Sequence, residues 1–359
     1  MPTLLDLPHK VMTNSGRAAI AIALRLIGVQ EGDSVLVPTY HCPTMVAPVE
    51  KLRAKPIFYP IGEDGLPDLG AVEALICKGV RAMLVAHLFG LPQRIDRIAQ
   101  FCSAYRIALI EDCAHCLYGA IQGIPVGSTG DYAIGSLPKF LPLPQGGVLA
   151  SRSHSLESAK LASRPLIDEM RGAWDMIDIA SQYGRLGLIG TIIRALSRWR
   201  RRKADTATSY EPIVDDTLLR LRSQSDPLLR ELPLRRVEML VLKHSDLAAA
   251  AHRRRECFAM LSAELSQCRG VNRPFPNCSR ESAPYVFPIV VRQPDEVYAE
   301  MRRAGLPVFR WDRLWPGTPR ELSDVGFIWS RQLIQVACHQ SLTDRDNSQI
   351  CRTIIEIVN

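Results

Sequence analysis

The chain contains no apolar run approaching the ~18 residues that a membrane-crossing helix needs. Residues 1–14 lack a basic segment followed by an apolar one, so no secretory leader is expected. A distributed basic surface is also missing. The formal charge of +7 is modest for 359 residues, and much of the excess sits in residues 198–203 and 253–255, which argues against a nucleic-acid footprint. The ten cysteines lack paired spacing. Only Cys113-Ala114-His115-Cys116 forms a cluster, and without a second ligand pair it makes a poor metal site. Free thiols in a reducing cytosol are the expectation, and with them a cytoplasmic protein.

Hydrophobic residues at 47% and charged residues at 23% are those of a globular chain, and the length suggests two domains. From residue 14 to 150 helix-like and strand-like segments alternate. Helices are expected at 15–26, 44–52, 69–77 and 95–105, with strands at 34–38, 56–59, 80–86 and 107–110. Short strands bridged by helices imply an α/β fold, a mainly parallel sheet covered on both faces in three layers. Ligands of such sheets sit beyond the carboxyl ends of the strands. Tyr40, His87 and Asp112 each follow an expected strand, so all three are candidates for one crevice.

The most informative stretch runs from Ile107 to Gly147. An apolar strand ends in Glu111-Asp112, and Lys139 follows among prolines and apolar residues. A buried carboxylate needs a cationic partner, and a desolvated lysine loses part of its affinity for a proton. Together they are the two groups a pyridoxal 5'-phosphate site requires: an acid that keeps the pyridine nitrogen protonated and an amine that carries the aldehyde as a Schiff base. Ser15-Gly16-Arg17 opens a helix whose N-terminal amides and dipole suit a phosphate, and the Ser136 hydroxyl can join them.

Ser15-Gly16-x-Ala18-Ala19, Gly32-Asp33-x-Val35-x-Val37-Pro38, Ala54-Lys55-Pro56, His87-Leu88-Phe89-Gly90, Glu111-Asp112-x-Ala114-His115 and Gly127-Ser128-x-Gly130-Asp131 occur in this order. The series resembles the DegT/StrS sugar aminotransferase family, of the aspartate aminotransferase fold. The likeness is dense from about residue 13 to 150 and returns near residues 285–291 and 338–343. It implies Lys139 as the Schiff-base lysine and Asp112 at the pyridine nitrogen. His115 would stand near the phenolic oxygen, with Gly16, Arg17 and Ser136 at the phosphate. It further implies transfer of an amino group, usually from glutamate, to a keto group on a nucleotide-linked sugar, by a homodimer with its site at the subunit interface.

The departures are specific. The family sets its serine and lysine five positions apart, whereas Ser136 and Lys139 are three apart. Cys42 stands where an aromatic residue commonly stacks on the cofactor, so stacking is left to Tyr40 or His41, or is absent. No Asn-x-Arg segment reaches for a neighbouring subunit's phosphate, and Arg222, Arg230 and Arg236 are the conceivable substitutes. Residues 157–235 match least. Within them Leu186, Ile189, Ile193 and Leu196 share a helical face beside Trp199 and several arginines, so 185–203 reads either as an amphipathic helix at a membrane surface or as one packed on its own domain. A large domain over 1–235 and a smaller C-terminal α/β domain over 236–359 are expected. The latter would hold one long helix at 236–265, strands at 285–291 and 307–311, and a helix at 296–304. Arg310 and Arg313, clustered with Trp311 and Trp315, read either as candidates for a substrate carboxylate or phosphate or as loop arginines beside buried tryptophans. The alternatives to a sugar aminotransferase are a pyridoxal phosphate enzyme with a non-sugar or lipid-linked substrate, or a non-catalytic binding protein at a membrane.

Overall fold

Strands that are apolar on both faces can only be satisfied inside a sheet with helices on either side, and the first half of the chain builds such a sheet. The computed structural model describes residues 1–182, 186–191, 193 and 229–359. Its main sheet has seven strands: β1 (His9–Thr13), β2 (Ser34–Pro38), β3 (Lys55–Tyr59), β4 (Val80–Ala86), β5 (Ala108–Asp112), β8 (Tyr132–Ser136) and β9 (Gly147–Ser151). The two-residue strands β6 (Ala120–Ile121) and β7 (Ile124–Pro125) pair with each other. Across the main sheet the order is β1-β9-β8-β5-β4-β2-β3. Strands β3, β2, β4, β5 and β8 run parallel, and β9 and β1 close the edge antiparallel. Helices α1 (Gly16–Ile27), α2 (Pro43–Lys51), α3 (Leu69–Leu75) and α4 (Asp96–Tyr105) connect them, and α5 (Leu166–Gln182) follows β9.

The C-terminal part is a four-stranded antiparallel sheet, β10 (Val271–Asn272), β11 (Val286–Val291), β13 (Leu333–Ala337) and β12 (Val308–Phe309) in that order. It carries α6 (Arg236–Lys243), α7 (Leu247–Glu264), α8 (Pro294–Arg303), α9 (Val325–Gln332) and α10 (Asp344–Val358). The single long helix expected over 236–265 is two helices. Asp246 breaks it by capping α7, its carboxylate accepting from the Ala249 amide at 2.9 Å. One apolar cluster, Leu229 among its members, joins the main sheet to the core of the C-terminal sheet, across the expected boundary. Of the segment expected as an amphipathic helix over 185–203, residues 186–191 and 193 are described, with Leu188 and Ile189 exposed. The rest of it, and Arg222, lie outside the described residues. No helix among the described residues is long and apolar enough to cross a membrane.

Two local devices position the future site. Ser15 caps α1, its hydroxyl accepting from the Ala18 amide at 3.1 Å. β9 passes so close to this helix start that a Cβ on Gly147 would lie 2.2 Å from the Ser15 carbonyl carbon. The second device is Glu111, buried at the end of β5. One of its oxygens accepts from the Thr129 and Gly130 amides at 2.7 and 2.6 Å. The other accepts from the Gly127 amide at 2.8 Å and from His87 Nε2 at 2.9 Å. Because His87 Nδ1 accepts from the Gln93 amide, the ring proton sits on Nε2. Burial alone would raise the Glu111 pKa, but His87 and the loop amides bring it below the usual carboxylate value. His87, Glu111 and Cys113 lie close enough to resemble a metal cluster. With two donors already on each oxygen, Glu111 has no lone pair left for an ion.

His41 is held by opposite needs at its two nitrogens. Nδ1 donates to the Pro38 carbonyl at 2.8 Å, and Nε2 accepts from the Trp315 amide at 3.0 Å. A second proton would set two donors face to face, and burial pushes the ring down to about 4 from 6.5. Between those values the unfolded chain binds the extra proton, so stability present above pH 6.5 is lost as pH falls toward 4. The loss is on the order of 3 kcal/mol. Urea midpoints at pH 7 and pH 4.5 should therefore differ less in His41→Gln than in the unaltered chain. Glu111→Ala should cost about 3 kcal/mol or more at pH 7 in the same assay, because it orphans three amides and a histidine.

Candidate active site

At the carboxyl ends of the parallel strands lies a cavity of about 500 Å³. Its floor joins Asn14, Ser15, Gly16 and Arg17 at the start of α1, Asp112 and Ser136 at the ends of β5 and β8, and Ala114, His115 and Lys139 from the loops that follow. Tyr285, Phe309, Trp311 and Gln335 wall it from the C-terminal part.

Asp112 is almost fully buried, and one carboxylate oxygen accepts from the Ala114 amide at 2.8 Å. Burial raises its pKa, and the Lys139 charge works against that rise. Lys139 ends a single 3-10 turn, Leu137–Lys139, that starts where β8 stops. This tight turn accommodates the short spacing to Ser136. Burial lowers the Lys139 pKa; Cys42 and Asp112 oppose this, and Arg17 adds to it. The two groups thus lean on each other: each would be neutral more readily without its partner.

His115 is buried between two aromatic rings, with centroid distances of 4.6 Å to Tyr285 and 4.7 Å to Trp311. Burial and the nearby Lys139 hold its pKa well below the usual histidine value, so the imidazole is neutral. Its Nδ1 has no hydrogen-bond partner among the described residues. Tyr285 is fixed by the His87-Leu88-Phe89-Gly90 turn. Its amide donates to the Phe89 carbonyl at 2.8 Å, and Gly90, at φ +83°, comes so close that a Cβ there would be 2.3 Å from the Tyr285 nitrogen.

The structure brings Ser15, Gly16, Arg17, Asp112, His115, Ser136 and Lys139 to one cavity, together with His87. Tyr40 and His41 are not part of its wall; Cys42 is. The Tyr40 ring packs against Phe89, Trp311 and Trp329, and its hydroxyl accepts from Gln335 Nε2 at 3.1 Å. These contacts turn it into the core. His41 stacks on Phe58 and bonds Trp315. Both rings are thus occupied by contacts within the protein. Arg310 lines the cavity, but its guanidinium is bound to Asp295 at 2.7 Å and to the Arg331 and Pro294 carbonyls at 2.6 and 3.3 Å. Arg230 and Arg236 are exposed and do not line the cavity. Gln335 and Phe309 were not foreseen. No local pattern marks them, because they reach the cavity only through the pairing of β12 with β13.

Residues 2–163 match the model of the DegT/DnrJ/EryC1/StrS aminotransferase family. The chain is 30% identical over 152 residues to the GDP-perosamine synthase of Vibrio cholerae, a match covering 42% of this chain and 41% of that one. To the L-glutamine:2-deoxy-scyllo-inosose aminotransferase of Streptomyces fradiae it is 31% identical over 154 residues, covering 42% and 36%. The chain thus matches about two fifths of the length of these relatives. The PLP-form structure of the putative sugar aminotransferase Spr1654 from Streptococcus pneumoniae superposes with a TM-score of 0.68 at 17% identity, over 98% of this chain and 87% of that one. The α/β fold with its mainly parallel sheet is that of the pyridoxal phosphate-dependent sugar aminotransferases. The part that matches the family model, residues 2–163, carries Lys139, Asp112, His115 and the start of α1.

Proposed function

We propose that the chain is a pyridoxal phosphate-dependent aminotransferase that moves an amino group from an amino acid to a keto group of a nucleotide-linked sugar. What carries the reading is one cavity lined by Lys139, by Asp112 and by the N-terminus of α1. The residues fit the cofactor. A buried, unpartnered His115 Nδ1 awaits a polar ligand atom. The α1 start, with Arg17 and Ser136 beside it, suits a phosphate. The Asp112 carboxylate suits a protonated ring nitrogen.

When bound, pyridoxal phosphate supplies an electron sink for the carbanion formed at the substrate carbon. Lys139 would hold its aldehyde carbon, and burial keeps the amine easier to deprotonate than a surface lysine. Once freed, the Lys139 amine would serve as the base that takes a proton from the substrate carbon and delivers it to the carbon that had carried the aldehyde. Asp112 would favour a proton on the ring nitrogen. Tyr285 and Trp311 line the cavity, where their rings would limit the access of water to bound substrate.

The relatives include both a GDP-perosamine synthase and an L-glutamine:2-deoxy-scyllo-inosose aminotransferase. A cyclitol acceptor with glutamine as donor is therefore the second reading. The test incubates the protein, pyridoxal phosphate and glutamate or glutamine with keto-sugar nucleotides or an inosose, and detects the aminated product by mass. Product from a keto-sugar nucleotide supports the first reading, and product only from the inosose supports the second. None from either, with cofactor bound, overturns both. Lys139→Ala should lower the rate by about 10²–10⁴-fold. Asp112→Asn should retain the cofactor and lose about 10²-fold or more.

A further inference from the structure

Arg254 of α7 is 1% exposed, and among the described residues its hydrogen bonds go to no carboxylate. A buried guanidinium costs several kcal/mol unless its donors are well met. Here they are met by neutral oxygens alone. Nε donates to Gln340 Oε1 at 2.7 Å. One terminal nitrogen donates to the Cys338 and Pro284 carbonyls at 3.0 and 3.3 Å. The other donates to the carbonyl of Lys139 at 2.8 Å. Gln340 completes the grip, its Nε2 donating to the Phe140 carbonyl at 2.8 Å. The guanidinium lies 4.8 Å from the Phe140 ring centre and 6.0 Å from that of Tyr285. On Tyr285 the Lys139 ammonium also rests, at 5.6 Å.

The reason for this arrangement lies in the lysine loop. The turn Leu137–Lys139 is too short to satisfy its own carbonyls, and Pro138, Pro142 and Pro144 remove three amides from the surrounding chain. Inside the loop, Leu137 bonds Gly146 and Phe140 bonds Leu137, which leaves the Lys139 and Phe140 carbonyls to be met from outside. Both are met from the C-terminal part, by Arg254 and Gln340.

We infer that Arg254, with Gln340, is a positioning residue that holds the backbone of Lys139 and thereby aims its amine into the cavity. The inference rests on Lys139 being the functional lysine. It makes the C-terminal part a support of the lysine as well as a wall of the site. Without the grip, the turn would loosen and the amine would gain water. Its pKa would then rise toward that of an exposed lysine.

The test reads Lys139 in the cofactor-free protein, so it stands or falls separately from the proposed activity. The pH dependence of Lys139 acetylation by acetic anhydride is followed by peptide mass spectrometry. Arg254→Met should move the midpoint upward and reduce labelling near pH 8 by about threefold. Gln340→Met, which alters no charge, should shift it in the same direction. Arg269→Met, which removes an exposed arginine, should leave it unchanged. An unchanged profile in folded Arg254→Met overturns the inference. Should that variant not fold, an unchanged profile in Gln340→Met does so.

Discussion

Two buried carboxylates in succession at the end of β5 are the constraint on which the site depends. In a strand, neighbouring side chains point to opposite faces, so Glu111 and Asp112 meet different hydrogen-bond donors. Glu111 is taken up by the fold, with three loop amides and His87 on its oxygens. Asp112 is left to the cavity with one amide and the neighbourhood of Lys139. The first acid ties the loop at 127–130 to the sheet. The second gives the cavity a negative point opposite a cationic one.

That division explains why much of the site could be read from the chain. Lys139, Asp112, His115 and the start of α1 lie in short motifs whose chemistry is local: an acid at a strand end, a capped helix, a lysine among prolines. The alternation of helices and strands from α1 to β5 was equally legible, because each element carries its own apolar pattern. The directions of the Tyr40 and His41 rings were not legible, because they are set from far away. Tyr40 is claimed by Trp311, Trp329 and Gln335, and His41 by Trp315. Residue type at a strand end says which groups are near a crevice, not which way a ring turns. The break between α6 and α7 was missed for the opposite reason: a single capping aspartate outweighs a helical pattern that continues on both sides.

The C-terminal part illustrates the same limit. Arg310 stood out as a candidate for an anion because arginine and tryptophan cluster there, yet its charge is spent on Asp295 and two carbonyls. Arg254 gave no such signal within an arginine-rich helix, and it is the one that reaches the lysine turn. Both outcomes depend on partners distant in sequence. The cavity is therefore a joint product: its charges come from the family-like first half and its aromatic wall from the C-terminal sheet.

The central claim is that Lys139 and Asp112 together hold pyridoxal phosphate. The most direct measurement adds pyridoxal phosphate to the purified protein, reduces the mixture with borohydride and maps the modified peptide by mass. The account predicts a visible absorbance band before reduction and a single fixed adduct on Lys139, both lost in Lys139→Ala. No band, or an adduct scattered over surface lysines and unchanged by the substitution, would contradict it.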